Sequence, residues 1–210
     1  MKRCVIFCAA GFDGLLAPLT GEELVIAADG GVRHAENLGL RPDVILGDFD
    51  SLGYVPEDSR VFPVEKDDTD MMLAIRLGLE RGCGEFFLYG AMDGPRLDHT
   101  VANFQSLNYL ASHGAFGWLI GRDYIATTLH NGGLRFSEKA EGILSLFCQG
   151  PQARGVSLTG LKYPLERENL DAFFPLGVSN HFLGDSAGVR VEDGFLLCLW
   201  DRRNGLPERE

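Results

Sequence analysis

Four short acidic clusters in the first half of the chain carry the residue types and spacings that could do chemistry. Asp29 precedes two glycines, Gly30 and Gly31, and Asp48 and Asp50 flank Phe49 in Gly47-Asp48-Phe49-Asp50-Ser51. Lys66-Asp67-Asp68-Thr69-Asp70 is the third cluster and Arg96-Leu97-Asp98-His99 the fourth. Two carboxylates two residues apart on an extended segment point the same way. Their mutual repulsion is costly unless a cation sits between them. Hard oxygen ligands drawn from several loops suit Mg²⁺ rather than Zn²⁺. With Lys66 and Arg96 as phosphate partners, such a set is suited to phosphoryl or pyrophosphoryl transfer. No G-x-x-x-x-G-K-[ST] run occurs, so the phosphate cradle is not a P-loop.

Each cluster also has a plainer reading. Asp29-Gly30-Gly31 on its own is a turn. Asp67 or Asp68 would serve as a helix cap, with Asp70 favouring the helix dipole, and Asp98 would cap the next helix. Lys66 and Arg96 would then be solvated surface charges.

The elements that must position these residues follow from periodicity. Short apolar runs ending in Gly or Asp predict strands over 5–9, 24–28, 44–46, 86–89 and 117–120. Between them, helices are expected over 31–38, 69–81 and 98–112. The clearest spans Thr69 to Arg81, with apolar residues at helical spacing and Gly82 as its stop. Strands alternating with helices give a mostly parallel α/β sheet. In an open α/β sheet the carboxyl ends of the strands form the binding crevice, and all four clusters lie at such ends. After about residue 130 the period becomes two, as in Ile143 to Cys148. There Val189–Val191 and Phe195–Leu199 flank Glu192-Asp193-Gly194, a hairpin signal. The fold class expected is therefore α/β: an N-terminal, mostly parallel nucleotide-binding domain over 1–128, then an antiparallel β-sandwich or small barrel over 129–210.

Composition narrows the partners. The 210 residues carry 30 acids and 19 bases, a formal charge of −11. Residues 131–210 hold 11 acids and 9 bases, leaving 19 and 10 for residues 1–130, so the imbalance belongs to the first part. That argues against nucleic acid, which needs a basic stripe, and against an anionic membrane surface. A phosphorylated ligand would need divalent metal with it. No apolar run approaches the roughly 18 residues that span a bilayer. The five cysteines form no CxxC pair, which suits a reducing compartment, and a cytoplasmic protein is expected.

Taken together, these residues resemble the thiamin pyrophosphokinases. The matching blocks are Ala28-Asp29-Gly30-Gly31, Pro42 to Ser51, Lys66 to Asp70, and Arg96-Leu97-Asp98-His99 with Asn103. Gly177-Val178-Ser179-Asn180 is similar to the family's thiamin-contacting turn. The resemblance implies transfer of the β,γ-pyrophosphoryl group of ATP to the hydroxyethyl oxygen of thiamin, giving thiamin diphosphate and AMP. It implies catalytic roles for Asp48, Asp50, Asp67, Asp70 and Asp98, with Mg²⁺ held by Asp48, Asp50 and Asp70. Nucleotide contacts would come from Asp29, Gly30, Gly31, Lys66, Thr69, Arg96, Asp98 and His99, and thiamin contacts from Ser179 and Asn180. An isologous homodimer with active sites between chains is also implied.

Two positions depart from the family pattern. Gly94-Pro95 stands where two glycines are common, and His181 stands where Glu is usual. Two rival functions are also open. A haloacid-dehalogenase-like phosphohydrolase also uses D-x-D at a strand end, but on its first strand, whereas Asp48 follows the third. A non-catalytic thiamin or nucleotide sensor would have no need of crowded carboxylates, which destabilise a fold that holds no metal.

Overall fold

The computed structural model describes residues 1–50, 52–63 and 67–210. Ser51 and Lys66, the latter expected at the phosphates, therefore lie outside the described residues. The chain divides into two compact units, Met1–Arg122 and Asp123–Glu210. The expected boundary at 128/129 falls inside a strand, because the antiparallel pattern already starts at Tyr124.

In the first unit β1 (Lys2–Phe7), β2 (Leu24–Ala28), β3 (Val44–Gly47), β4 (Arg60–Val61), β5 (Cys83–Tyr89) and β6 (Phe116–Ile120) are all parallel, in the order β6-β5-β1-β2-β3-β4. β2 and β6 are buried along their whole length. Strands covered on both faces by helices read as continuous apolar runs, as these do.

Helix α1 (Val32–Asn37) follows a 3₁₀ turn over Asp29–Gly31. Helix α2 (Asp70–Glu80) starts one residue after its cap. Thr69 Oγ1 accepts a hydrogen bond from the Met72 N–H at 3.2 Å. Neither Asp67 nor Asp68 is the cap, since Thr69 reaches the helix amides from the right place. The buried seam of α2 is Met71, Ala74, Ile75 and Gly78. Helix α3 (Leu97–Ser112) buries Asn103, Ser106, Leu107, Leu110 and Ala111, while Val101 is exposed. In both helices small or polar residues occupy the seam where the backbone lies close to the sheet, and an apolar periodicity does not register them. Among the described residues, no helix is long and apolar enough to cross a membrane.

The second unit is antiparallel. It comprises β7 (Tyr124–Phe136), β8 (Ile143–Cys148), β9 (Gln152–Thr159), β10 (Leu165–Asp171), β11 (Asn180–His181), β12 (Ala187–Asp201) and β13 (Glu208–Arg209). The expected hairpin at Glu192-Asp193-Gly194 does not form. β12 runs through it as one bent strand, with a register shift between Val191 and Phe195. Gly194 has φ +106 and lies so near Gln152 that a Cβ would sit 2.6 Å from its carbonyl oxygen. Its N–H donates to Asn131 Oδ1 at 3.0 Å. The glycine marks a bulge and a close backbone approach rather than a chain reversal. β12 thereby pairs with β9 before the bulge and with β8 after it, as a sandwich requires.

Candidate active site

The chain runs outward from β1 through β2, β3 and β4, then returns to the far side of β1 as β5. This reversal opens a crevice beyond the carboxyl ends of β1 and β5. A cavity of ≈ 570 Å³ lies there, lined from every direction the topology supplies. Cys8 and Ala10 follow β1, Ala28 and Asp29 follow β2, Asp48 and Asp50 follow β3, and Gly90 and Ala91 follow β5. The first turn of α2 adds Asp68, Thr69, Asp70 and Met71, and the start of α3 adds Arg96, His99, Thr100 and Asn103.

Within it, Asp29, Asp48 and Asp50 each present a carboxylate oxygen within 4.8 Å of the others. Oδ1 of Asp29 and of Asp70 is buried from solvent. Asp29 and Asp48 are half-buried and Asp50 is exposed. Crowding carboxylates this closely is costly unless a cation accompanies them, so an all-oxygen donor set here fits a hard divalent ion. The expected metal set was Asp48, Asp50 and Asp70. By distance Asp29, expected at the nucleotide, joins Asp48 and Asp50, and Asp70 stands on the cavity wall.

The local cause of this convergence differs from the expectation. Asp48-Phe49-Asp50 is not extended, because Phe49 has φ +59, in the left-handed region. The segment turns back, and the Asp50 N–H donates to Asp48 Oδ1 at 3.3 Å. Asp29 is left-handed as well, at φ +47. Gly47, at φ +150, lets the end of β3 pass beside it. A Cβ there would lie 3.0 Å from both the nitrogen and Cα of Asp29, and only glycine tolerates that approach.

The other expected residues fall into distinct places. Gly30 and Gly31 are buried in the 3₁₀ turn after Asp29 and do not face the cavity. Gly31 packs so close to the Phe7 carbonyl that a Cβ would lie 2.0 Å from its oxygen. Asp67 is exposed, and Asp68 is paired with Arg76 at 2.8 Å. Arg96 and Asp98 form an exposed ion pair at 2.6 Å. The hydrogen bond from Arg96 holds the Asp98 carboxyl below the usual range. The same bond, with the charges of Asp98 and Asp50, raises Arg96 further. Asp98 is in the first turn of α3 and is not its cap, a position that belongs to Arg96.

Sequence reasoning missed Cys8, Ala10 and Thr100. Their only signal was position: residues just past the central strand, or one turn into a helix that opens at the crevice. Burial, followed by the negative charges of Asp70 and Asp29, pushes the Cys8 thiol up to about 12. Asn103 Nδ2 donates to the Ala91 carbonyl at 2.5 Å and Thr100 Oγ1 to the Met92 carbonyl at 3.0 Å, fixing the loop between β5 and α3.

In the second unit Ser179 is exposed and left-handed at φ +57, and its N–H donates to Ser145 Oγ at 3.0 Å. Asn180 is 2% exposed. Its Oδ1 accepts from the Tyr163 N–H at 2.9 Å, and its Nδ2 donates to the Tyr163 carbonyl at 2.7 Å. The side chain therefore clips one turn to another.

Two family models match the chain in order: the catalytic domain of thiamin pyrophosphokinase over residues 18–115, and the vitamin B1 binding domain of thiamin pyrophosphokinase over residues 134–196. The chain belongs to the thiamin pyrophosphokinase family. It is 27% identical over 214 residues to the thiamine pyrophosphokinase of Bacillus subtilis, covering 94% of this chain and 98% of that one. The crystal structure of the Bacillus subtilis enzyme matches at a TM-score of 0.80 with 25% identity, over 95% of this chain and 99% of that one. The thiamin pyrophosphokinase of Candida albicans, at 15% identity, shares the fold with a TM-score of 0.70 over 95% and 89% of the two chains. Members of this thiamin pyrophosphokinase family are transferases, and this chain is one. Nothing in these matches supports the phosphohydrolase or the sensor.

Proposed function

We propose that the chain transfers the β,γ-pyrophosphoryl group of ATP to the hydroxyethyl oxygen of thiamin, with Mg²⁺, in the cytoplasm. The observation that carries this reading is the convergence of the Asp29, Asp48 and Asp50 carboxylates within 4.8 Å, in a cavity at the sheet's point of reversal. Asp48 and Asp50, with Asp29 and Asp70, would hold the ion. When bound, it supplies charge neutralisation for the triphosphate.

The chain's own residues supply position and charge. Thr69, Asp70 and Met71, at the N-terminus of α2, line the cavity, and a helix N-terminus favours phosphate oxygens. Thr69 Oγ1 caps that turn. Arg96, oriented by Asp98, would meet phosphate, with His99 beside it and Lys66 as a second cation. Asp67 would stand near the phosphates. The thiamin oxygen attacks the β-phosphorus in line, the bond to the α-phosphate oxygen breaks, and AMP departs. The hydroxyl proton passes to one of the cavity carboxylates. Thiamin is a cation and suits an acidic crevice.

Ser179 and the turn held by Asn180 would meet thiamin, with Asn180 acting through its grip on Tyr163. We read the functional state as a homodimer whose active sites lie between chains. The ATP-binding catalytic part is then the first unit and the thiamin-binding part the second.

Product analysis with Mg²⁺, ATP and thiamin tests this directly. AMP forming one-for-one with thiamin diphosphate, only when all three are present, is the expected result. ADP with thiamin monophosphate would overturn pyrophosphoryl transfer, and no thiamin-dependent product would overturn the acceptor.

A further inference from the structure

We infer that Phe49 is a positioning residue of the metal site, its buried ring fixing the directions of the carboxylates on either side of it. The inference rests on the reading of Asp48 and Asp50 as metal ligands. A bulky residue at φ +59 is uncommon, because its Cβ crowds the following carbonyl. If the turn alone mattered, Gly or Asn would stand there, as Asn131 does at φ +52. Strain of this kind persists where the surroundings over-determine it.

The surroundings of Phe49 show what holds it. It is 3% exposed and packs in a cluster with Ala27, Val32 and Leu52, with Ile45 against it. Ala27 and Val32 bracket the segment that carries Asp29. The ring therefore ties the backbone bearing Asp29 to the backbone bearing Asp48 and Asp50, and all three carboxylates reach one point. Arg33 adds a second tie, donating from Nη2 to the Leu52 carbonyl at 3.3 Å. Groups that orient metal ligands from behind typically change metal affinity about 10–100-fold when removed.

The test is Mn²⁺ binding to the nucleotide-free protein, followed by electron paramagnetic resonance of the free ion, beside a thermal melt. Phe49→Gly relaxes the left-handed backbone but removes the ring, and should weaken Mn²⁺ by about 10–100-fold. Phe49→Leu keeps an apolar anchor and should weaken it less. Phe86→Leu, a core change on β5, should lower the melting temperature and leave Mn²⁺ affinity alone. Asp50→Asn should lose the ion. If both Phe49 variants bind Mn²⁺ like the wild type while Asp50→Asn does not, the metal reading stands and the role of Phe49 falls. If Phe86→Leu weakens Mn²⁺ as much as Phe49→Gly, the effect is general destabilisation and the inference is again overturned. Should Asp50→Asn bind Mn²⁺ unchanged, the metal site and the inference fall together. Should Phe49→Gly fail to fold, Leu52→Ala trims the ring's neighbour instead. Weakened Mn²⁺ binding there supports the inference and unchanged binding overturns it.

Discussion

At the carboxyl edge of the first sheet the polar residues face a cavity, whereas in the second unit Asn180 and Ser145 turn inward, each hydrogen-bonded to backbone. The first arrangement gathers like charges and buries part of them, which elementary electrostatics disfavours without a cation. The second satisfies its buried amide and so stabilises the turns around it. Polar residues in the two units thus sit differently, one set lining a cavity and the other bracing turns. A polar residue within a motif is therefore not by itself a contact residue. Its partners decide.

The contrast can be broken most severely at the carboxylates. Asp50→Asn should cut turnover by about 10²–10³-fold or more while the melting temperature stays near wild type, measured by AMP release and calorimetry. A variant with near wild-type rate would remove Asp50 from the site. Gly47→Ala places a Cβ against the Asp29 backbone. It should destabilise by about 1–3 kcal/mol in denaturant titration and raise the metal concentration needed for half-maximal rate.

In the second unit Asn180→Ala leaves both the N–H and the carbonyl of Tyr163 without its amide. It should destabilise by about 1–3 kcal/mol and raise the thiamin KM more than the ATP KM. Equal changes in both constants would separate this turn from thiamin. The smallest effect concerns Cys8. Alkylation needs the thiolate, and the upward shift keeps the proton on. Labelling of Cys8 by iodoacetamide should therefore keep rising with pH beyond 9 instead of levelling near the ordinary thiol value. The sign carries over to stability. Between the ordinary value and about 12 the folded chain holds a proton that the unfolded chain loses, so this group's contribution declines as pH rises through that window.

Much of the first unit was legible because its signals are local. The runs of β2 and β6 are continuous apolar stretches, and Thr69 to Arg81 carries its own start and stop. Strand ends in a parallel sheet necessarily share one edge, so the acidic clusters were expected to meet. The seams of α2 and α3 were less legible, since Gly78, Asn103 and Ser106 are chosen by closeness to the sheet rather than by hydrophobicity. The supposed hairpin at Gly194 failed for a related reason: glycine marks both turns and bulges, and only the strand alongside tells them apart.

The kinds of donors, their order along the chain and the α/β-then-β architecture are all written in local residue type and periodicity, which act over a few neighbours. Tertiary structure alone decided that Asp29 joins Asp48 and Asp50, that Phe49 turns left-handed between them, and that Asn180 faces Tyr163. Those outcomes depend on close approaches between segments far apart in the chain, where a Cβ too many or a buried ring sets the geometry. No local pattern encodes that.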